Sequence, residues 1–204
     1  MRPLLHAVLL LLATCQATLQ AEPGGFLKRL LPAAPREENQ PAQTRKPAEI
    51  PSGTIPIPEA FFSPKGGCTQ AVLRELNSAR QSVLVQAYSF TSAPIAAALV
   101  EAARRGILVE VVLDKSNKTG KYSSADFVAR AGIPTWLDEK HAIAHNKVMV
   151  IDESTVITGS FNFTKAAEES NAENLLILRS GELAARYTHQ FIEHRQHSAR
   201  YLSR

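Results

Sequence analysis

His145, Lys147 and Asp152 stand in the order His-x-Lys-x4-Asp, within the run His145-Asn146-Lys147-Val148-Met149-Val150-Ile151-Asp152. Gly159-Ser160-Phe161-Asn162-Phe163-Thr164 follows, and then Glu173-Asn174. On an extended chain, side chains two apart point to the same face. His145 and Lys147 therefore share a face, with an imidazole beside a permanent positive charge. That pair suits attack on a phosphate: the ring nitrogen is a nucleophile and the ammonium holds the anionic oxygens. Met149 and Ile151 share this face, which turns apolar beyond its reactive end. Val148 and Val150 are expected to face the other way, into the core.

Other chemistries fit the spacing less well. His141, His145 and Asp152 could be two imidazoles and a carboxylate around a metal, but Lys147 on the His145 face would repel a cation. Ser160 is not in a Gly-x-Ser-x-Gly elbow, which argues against an acyl hydrolase. No glycine-rich loop is followed by Lys-Ser/Thr, so nucleoside triphosphate chemistry is not suggested. No metal and no cofactor is expected.

The elements that must position these residues can be read from pattern. Apolar spacing predicts helices over Thr69–Arg80, Pro94–Arg105, Ser124–Ala131 and Glu182–Gln196. Pro94 suits a first helical turn, and Gly106 and Gly132 suit helix ends. Strands are expected at Ser82–Phe90, Ile107–Leu113, Ile133–Leu137, Lys147–Ile151, Thr155–Thr158 and Leu175–Leu178. Asp152-Glu153-Ser154 reads as a hairpin-like turn. Strands alternating with helices, then several strands in succession, predict one α/β domain: a mixed β-sheet flanked by helices.

That domain is expected to span 57–204. Before it, residues 22–56 are rich in Pro, Ala and charge, and seven prolines from Pro32 to Pro58 exclude a helix or central strand. This segment reads as a flexible tether. Residues 1–21 read as an export signal: Arg2, then the apolar Ala7–Ala13, then small residues and a cleavage point after Ala21. A retained N-terminal anchor, or lipidation at Cys15, are the alternatives. A periplasmic or secreted location follows, with a membrane tether through the N-terminus if the segment stays. The 204 residues carry 23 Lys+Arg against 19 Asp+Glu, a net +4 that favours polyanions only weakly. Once the leader is gone Cys68 stands alone, so no intrachain disulfide can form. Arg104, Arg105, Lys115, Lys118, Lys121 and Lys140 could line a groove for a phosphate backbone. Tyr88, Phe90 and Trp136 could stack on bases, or simply pack.

His-x-Lys-x4-Asp with a downstream Gly-Ser-x-Asn resembles the signature of the phospholipase D superfamily. The resemblance is nearest to its small single-motif branch of secreted bacterial endonucleases. It extends to Ala87-Tyr88-Ser89-Phe90-Thr91, to the Asn117-Lys118-Thr119-Gly120 turn, and to Gly159–Ala167. It implies a phospholipase D-like sandwich and a metal-independent phosphodiesterase hydrolysing DNA or RNA through a phosphohistidine. By the same resemblance His145 is the nucleophile or its partner acid. Lys147 and Asn162 bind phosphate oxygens, Ser160 assists through its hydroxyl, and Glu173 bonds the other ring nitrogen of His145. Asp152 is then supporting. Two-motif members have one histidine for each proton-transfer role, whereas this chain has one motif, which implies a homodimer with a shared site. Lipid chemistry of the phospholipase D or phosphatidyl-transferase type is the alternative activity. A nucleic-acid-binding module for DNA capture is the non-enzymatic one.

Overall fold

The computed structural model describes residues 57–203. The leader, the anchor and the tether expected before residue 57 lie outside the described residues. Among the described residues no helix is long and apolar enough to cross a membrane.

The chain runs β1 (Glu59–Ser63), α1 (Cys68–Ser78), β2 (Ser82–Ala87), α2 (Ala93–Arg104) and β3 (Leu108–Asp114). A 3-10 turn (Lys115–Lys118), α3 (Ala125–Arg130), β4 (Thr135–Asp138), β5 (Lys147–Ile151) and β6 (Thr155–Gly159) follow. The last elements are α4 (Lys165–Glu169), β7 (Glu173–Arg179), α5 (Gly181–His197) and β8 (Ala199–Arg200). All eight strands join one sheet in the order β1-β7-β6-β5-β2-β3-β4-β8. β2, β3 and β4 are mutually parallel, and every other pairing is antiparallel. This is the mixed sheet flanked by helices that the sequence predicts.

Both faces of the sheet are covered, which is why β2 and β5 are buried along their whole length. Val83, Val85, Val111, Leu113, Met149, Ile151, Ile157 and Ile177 face α1 and α2 in the main core. The alternate residues Leu84, Val112, Val148, Val150 and Val156 are buried outside that cluster, as are Ala184, Phe191 and Ile192 of α5. Arg195 of α5 pairs with Glu110 of β3 at 2.8 Å, which places α5 over this second face. Val148 and Val150 thus face a core as expected, but it is the smaller one. The larger core lies on the Lys147 side, because two helices cover it.

Four further differences have structural causes. β2 ends at Ala87, and Phe90 instead bridges to Phe163. β1 is a short edge strand that gains its place only by pairing with β7, far along the chain. β8 is two residues long and exists through β4, while α4 is a single turn capped by Thr164, whose hydroxyl accepts from the Ala167 amide. Neither carries a periodicity long enough to register.

Candidate active site

The topology gathers one end of the sheet. The parallel strands β2, β3 and β4 point their carboxyl ends to it. β5 and β7 begin there and β6 ends there, since each runs antiparallel to its neighbour. In open α/β sheets that rim is where ligands bind. His145, Lys147, Ser160, Asn162 and Glu173 all lie along it.

His145 is exposed, two residues ahead of β5. Its ring lies against Tyr88, with centroids 4.7 Å apart. The Tyr88 amide donates to the Asn146 carbonyl at 2.8 Å, extending the β2–β5 ladder by one step. Lys147 is buried beneath. Its Nζ donates to the His145 carbonyl at 3.1 Å and stands 5.2 Å from the Tyr88 ring centre. Burial pulls the Lys147 ammonium below the usual lysine range, and the Glu173 charge works against that shift. A desolvated cation at the floor of an open site is a strong anion ligand.

The second half of the site comes from the β6–α4 connection. Gly159 has a φ of 149°, and a Cβ there would stand 2.3 Å from the Asn174 carbonyl oxygen. Only glycine lets β6 approach β7 so closely while the chain turns. The Ser160 and Phe161 amides then both donate to that same carbonyl, at 3.1 Å. The Ser160 hydroxyl accepts from the Asn174 amide at 3.0 Å. Thr91 and Ser92 amides hold the Phe163 carbonyl, fastening this loop beside Tyr88. Asn162 Oδ1 is buried with no protein partner. Half a turn of the amide puts its NH2 in that place, so the site offers a donor or an acceptor.

Two of the expected residues are placed differently. Asp152 is at the far end of β5, five residues beyond Lys147 or about 17 Å at strand rise. Its carboxylate accepts from the backbone amides of Arg80, Gln81 and Ser82 at 2.7–3.1 Å. It therefore ties the α1–β2 link to the β5–β6 turn and has no place at the rim. Glu173 is at the rim, but its side-chain bond is from Asn171 at 3.1 Å, not from His145. The reason is strand order: β6 stands between β5 and β7, leaving Glu173 two strand spacings, about 10 Å, from the β5 line. His141 lies against Asp138 rather than near Asp152, so the three-residue metal set considered from sequence is not assembled.

Of the basic groups, Lys115, Lys118, Lys121 and Lys140 follow the carboxyl ends of β3 and β4 and are exposed. Arg104 and Arg105 end α2 at the opposite side of the sheet, where they engage Glu101 and the Leu76 carbonyl. Phe90 is fully buried core, and Trp136 is covered by Arg195 and Arg200, whose guanidinium carbons lie 5.5 and 4.7 Å from its ring centre. Neither is free to stack on a base. Tyr88, half-buried at the rim, is the aromatic residue of the site.

Asp114 and Asn117 are positioning residues that the sequence reading left aside or saw only as a turn. The segment Glu139–Asn146 leaves β4 and must cross the ends of β3 and β2 to reach β5. Asp114, buried at the end of β3, accepts from the Ala144 amide at 2.8 Å and so holds this strap one residue before His145. Burial alone would raise the Asp114 carboxyl, but bonds from Ser116 and Ala144 outweigh it and hold it below the ordinary range. Asn117 donates to the Tyr88 carbonyl at 2.6 Å and to that of Asp114 at 3.1 Å. The lysine-bearing turn is thereby fixed beside the Tyr88–His145 pair.

This rim sets an exposed histidine above a buried lysine, a nitrogen nucleophile beside a cation that can hold an anion. The profile described as "Cardiolipin synthase, PLD-like domain" matches residues 72–195, and the chain belongs to the phospholipase D superfamily. It is 42% identical over 131 residues to a phospholipase D of Rickettsia bellii, covering 64% of this chain and 65% of that protein. The chain thus spans just under two thirds of that relative's length. Among solved structures it resembles Nuc of Salmonella typhimurium, a phospholipase D family member. The identity is 38% and the TM-score 0.69, over 72% of this chain and 98% of that one. NucT from Helicobacter pylori matches at 26% identity and TM-score 0.65, over 71% and 98%.

Proposed function

We propose that the chain is a metal-independent endonuclease, hydrolysing nucleic acid through a phosphohistidine at a site shared by two copies. The observation that carries the nucleic-acid reading is the lysine-bearing turn Lys115–Lys121, pinned by Asn117 to the backbone of Tyr88. It puts exposed cations on the same rim as the candidate nucleophile, with Lys115 donating to the His141 carbonyl and Lys118 paired with Glu139, as a strand-tracking surface requires. The likeness to Nuc and NucT, whose chains it covers almost end to end, agrees with this reading.

In the proposed reaction, the imidazole of one His145 attacks phosphorus and an N–P bond forms. The P–O bond to the leaving nucleoside breaks as a second imidazolium protonates that oxygen. Water, deprotonated by the second imidazole, then cleaves the N–P bond and restores both rings. Lys147 and Asn162 hold the non-bridging oxygens, so the chemistry needs no metal ion. One chain supplies one such histidine, and a two-fold axis through the rim would supply the other. The same axis would give Glu173, unbonded to its own His145, the His145 of the second copy to orient.

Lipid phosphodiester hydrolysis is the second reading, favoured by the names of the Rickettsia relative and of the matching profile. Turnover of labelled DNA, RNA and phosphatidylcholine separates the two. The shared site is tested by refolding wild type with a rising excess of His145→Ala. Each mixed dimer would hold one histidine, so activity per wild-type chain should fall toward zero. Constant activity per wild-type chain would show that each chain carries a complete site.

A further inference from the structure

A second cluster of chemically able side chains lies on the same rim, at the other end of the strap. Asp138 ends β4 and is fully buried. His141 is the third residue of the strap, and His194 and His197 lie on the last turn of α5. Residues three apart on a helix share a face, so His194 and His197 both look toward β4. One ligand atom from each of the four residues falls within 4.8 Å of all the others.

The distances around Asp138 have a particular pattern. Its Oδ1 is occupied, accepting from the Lys140 and His141 amides at 3.1 Å. Its Oδ2 faces three rings: His141 Nδ1 at 2.8 Å, His197 Nε2 at 3.3 Å and His194 Nδ1 at 3.4 Å. A tetrahedral zinc ion bound at about 2.0–2.1 Å sets its ligands about 3.3–3.4 Å apart. Two of the three carboxylate–imidazole distances already have that value. The protein alone leaves the set unsatisfied, since His194 Nδ1 is buried and makes no hydrogen bond despite its closeness to Oδ2. The rings are also crowded, with centroid separations of 4.9, 5.1 and 5.4 Å. Three imidazolium ions would repel one another at such range, whereas three neutral rings and one carboxylate are a complete ligand set.

We propose that Asp138, His141, His194 and His197 bind a divalent transition-metal ion of the zinc type, which fastens the strap to the end of α5. A cavity of about 490 Å³, lined by the three histidines with Lys140 and Glu193 among others, gives the ion a path from solvent. The ion is structural. It has four protein ligands and stands three strand spacings, about 14 Å, from the β5 line that carries His145. Its effect on His145 runs through the strap, four residues long from His141.

The test uses the full chain, stripped with chelator and dialysed, and reads metal rather than catalysis. Titration with Zn²⁺ in a calorimeter should give about one equivalent per chain. Co²⁺ in its place should give the intense visible bands of four-coordination. His194→Ala/His197→Ala should lose that equivalent. His6, Cys15 and Cys68 lie elsewhere in the chain, so an equivalent that survives this double substitution overturns the assignment. Because the double variant could lose its fold, the single changes His141→Gln and His197→Gln are measured as well. Each keeps polar bulk at a partly exposed position and should weaken zinc binding. With free zinc at a hundred times the dissociation constant, the wild-type melting midpoint should rise by about 5–10 °C. The single variants at that same zinc concentration should show less. Wild type that takes up no zinc, or single variants that match it in both readouts, would refute the site.

Discussion

Asp152 belongs to the sequence motif but not to the rim, and its replacement separates motif membership from chemistry. Asp152→Ala removes the acceptor of three backbone amides, those of Arg80, Gln81 and Ser82. Bonds to a charged acceptor are worth ~1.5–3 kcal/mol each when buried and less at a partly exposed position, so about 1 kcal/mol each is appropriate here. Asp152 also has a φ of 52°, where alanine costs a further ~1 kcal/mol. The sum is about 4 kcal/mol, or roughly 8–16 °C in melting temperature for a domain of this size. Asp152→Asn keeps one oxygen for the amides and tolerates the left-handed backbone, so about 1 kcal/mol is expected. Thermal and urea melts of both variants measure this. Turnover, assayed well below the melting range, should stay within about tenfold of wild type, because the carboxylate is about 17 Å from Lys147. An alanine variant that melts with wild type yet loses orders of magnitude in turnover would refute the reasoning and return Asp152 to the chemistry.

Gly159→Ala should cost activity out of proportion to its size. Its methyl would overlap the Asn174 carbonyl and push Ser160 and Asn162 off the rim, which kinetics and a structure of the variant would reveal. Activity should persist in excess EDTA at room temperature even if the melting point falls, since Lys147 and Asn162 handle the phosphate charge. Loss of turnover on chelation, with the fold intact and restored by metal, would contradict the metal-independent route. Glu75 is buried, and its hydrogen bonds from Arg179 and then Arg74 outweigh the upward pull of burial, holding it below the usual carboxylate range. Its stabilisation is therefore complete above the unfolded glutamate value of about 4.3 and lost as pH falls through the lower folded value. Glu75→Gln should be about 2 kcal/mol less stable than wild type near neutrality, and the two should converge in acid.

Strongly periodic elements were legible in the sequence. The paired β2, β3, β5 and β6 are rich in β-branched residues, and α1 and α2 carry clear apolar faces, so local pattern and tertiary demand coincide there. β1 was not legible, because Glu59–Ser63 is a strand only through β7, which lies far along the chain. The site was legible where it is local. Lys147 opens β5 and His145 stands two residues ahead of it on the same run of chain, and Gly159, Ser160 and Asn162 sit on one turn. It failed where strand order decides. Nothing local states that β6 separates β5 from β7, and so Glu173 could not be kept from its own His145. Asp114 was hidden for the same reason, since its partner Ala144 meets it only because the strap crosses the end of β3. The Asp138–His197 cluster did have a trace, Asp138-x2-His141 and His194-x2-His197, but two such half-motifs mean little until a helix and a strand bring them together.

The pairing of β1 with β7 also sets an order of events. β2, β3 and β4 are joined by short crossovers and β5, β6 and β7 follow one another closely, so each group can form from nearby chain. β1 emerges first from the ribosome yet pairs Glu59 with Ile177, and it must wait for a partner made near the end. Closing that contact demands the longest loop in the sheet, which places it late in folding. Substitutions in β1 should then speed unfolding and leave the folding rate nearly unchanged. The covalent layout adds a mechanical corollary. Everything ahead of residue 57 is joined to the domain through β1, so tension on that end bears on an edge strand that can peel from β7 before the rim that holds His145 is disturbed.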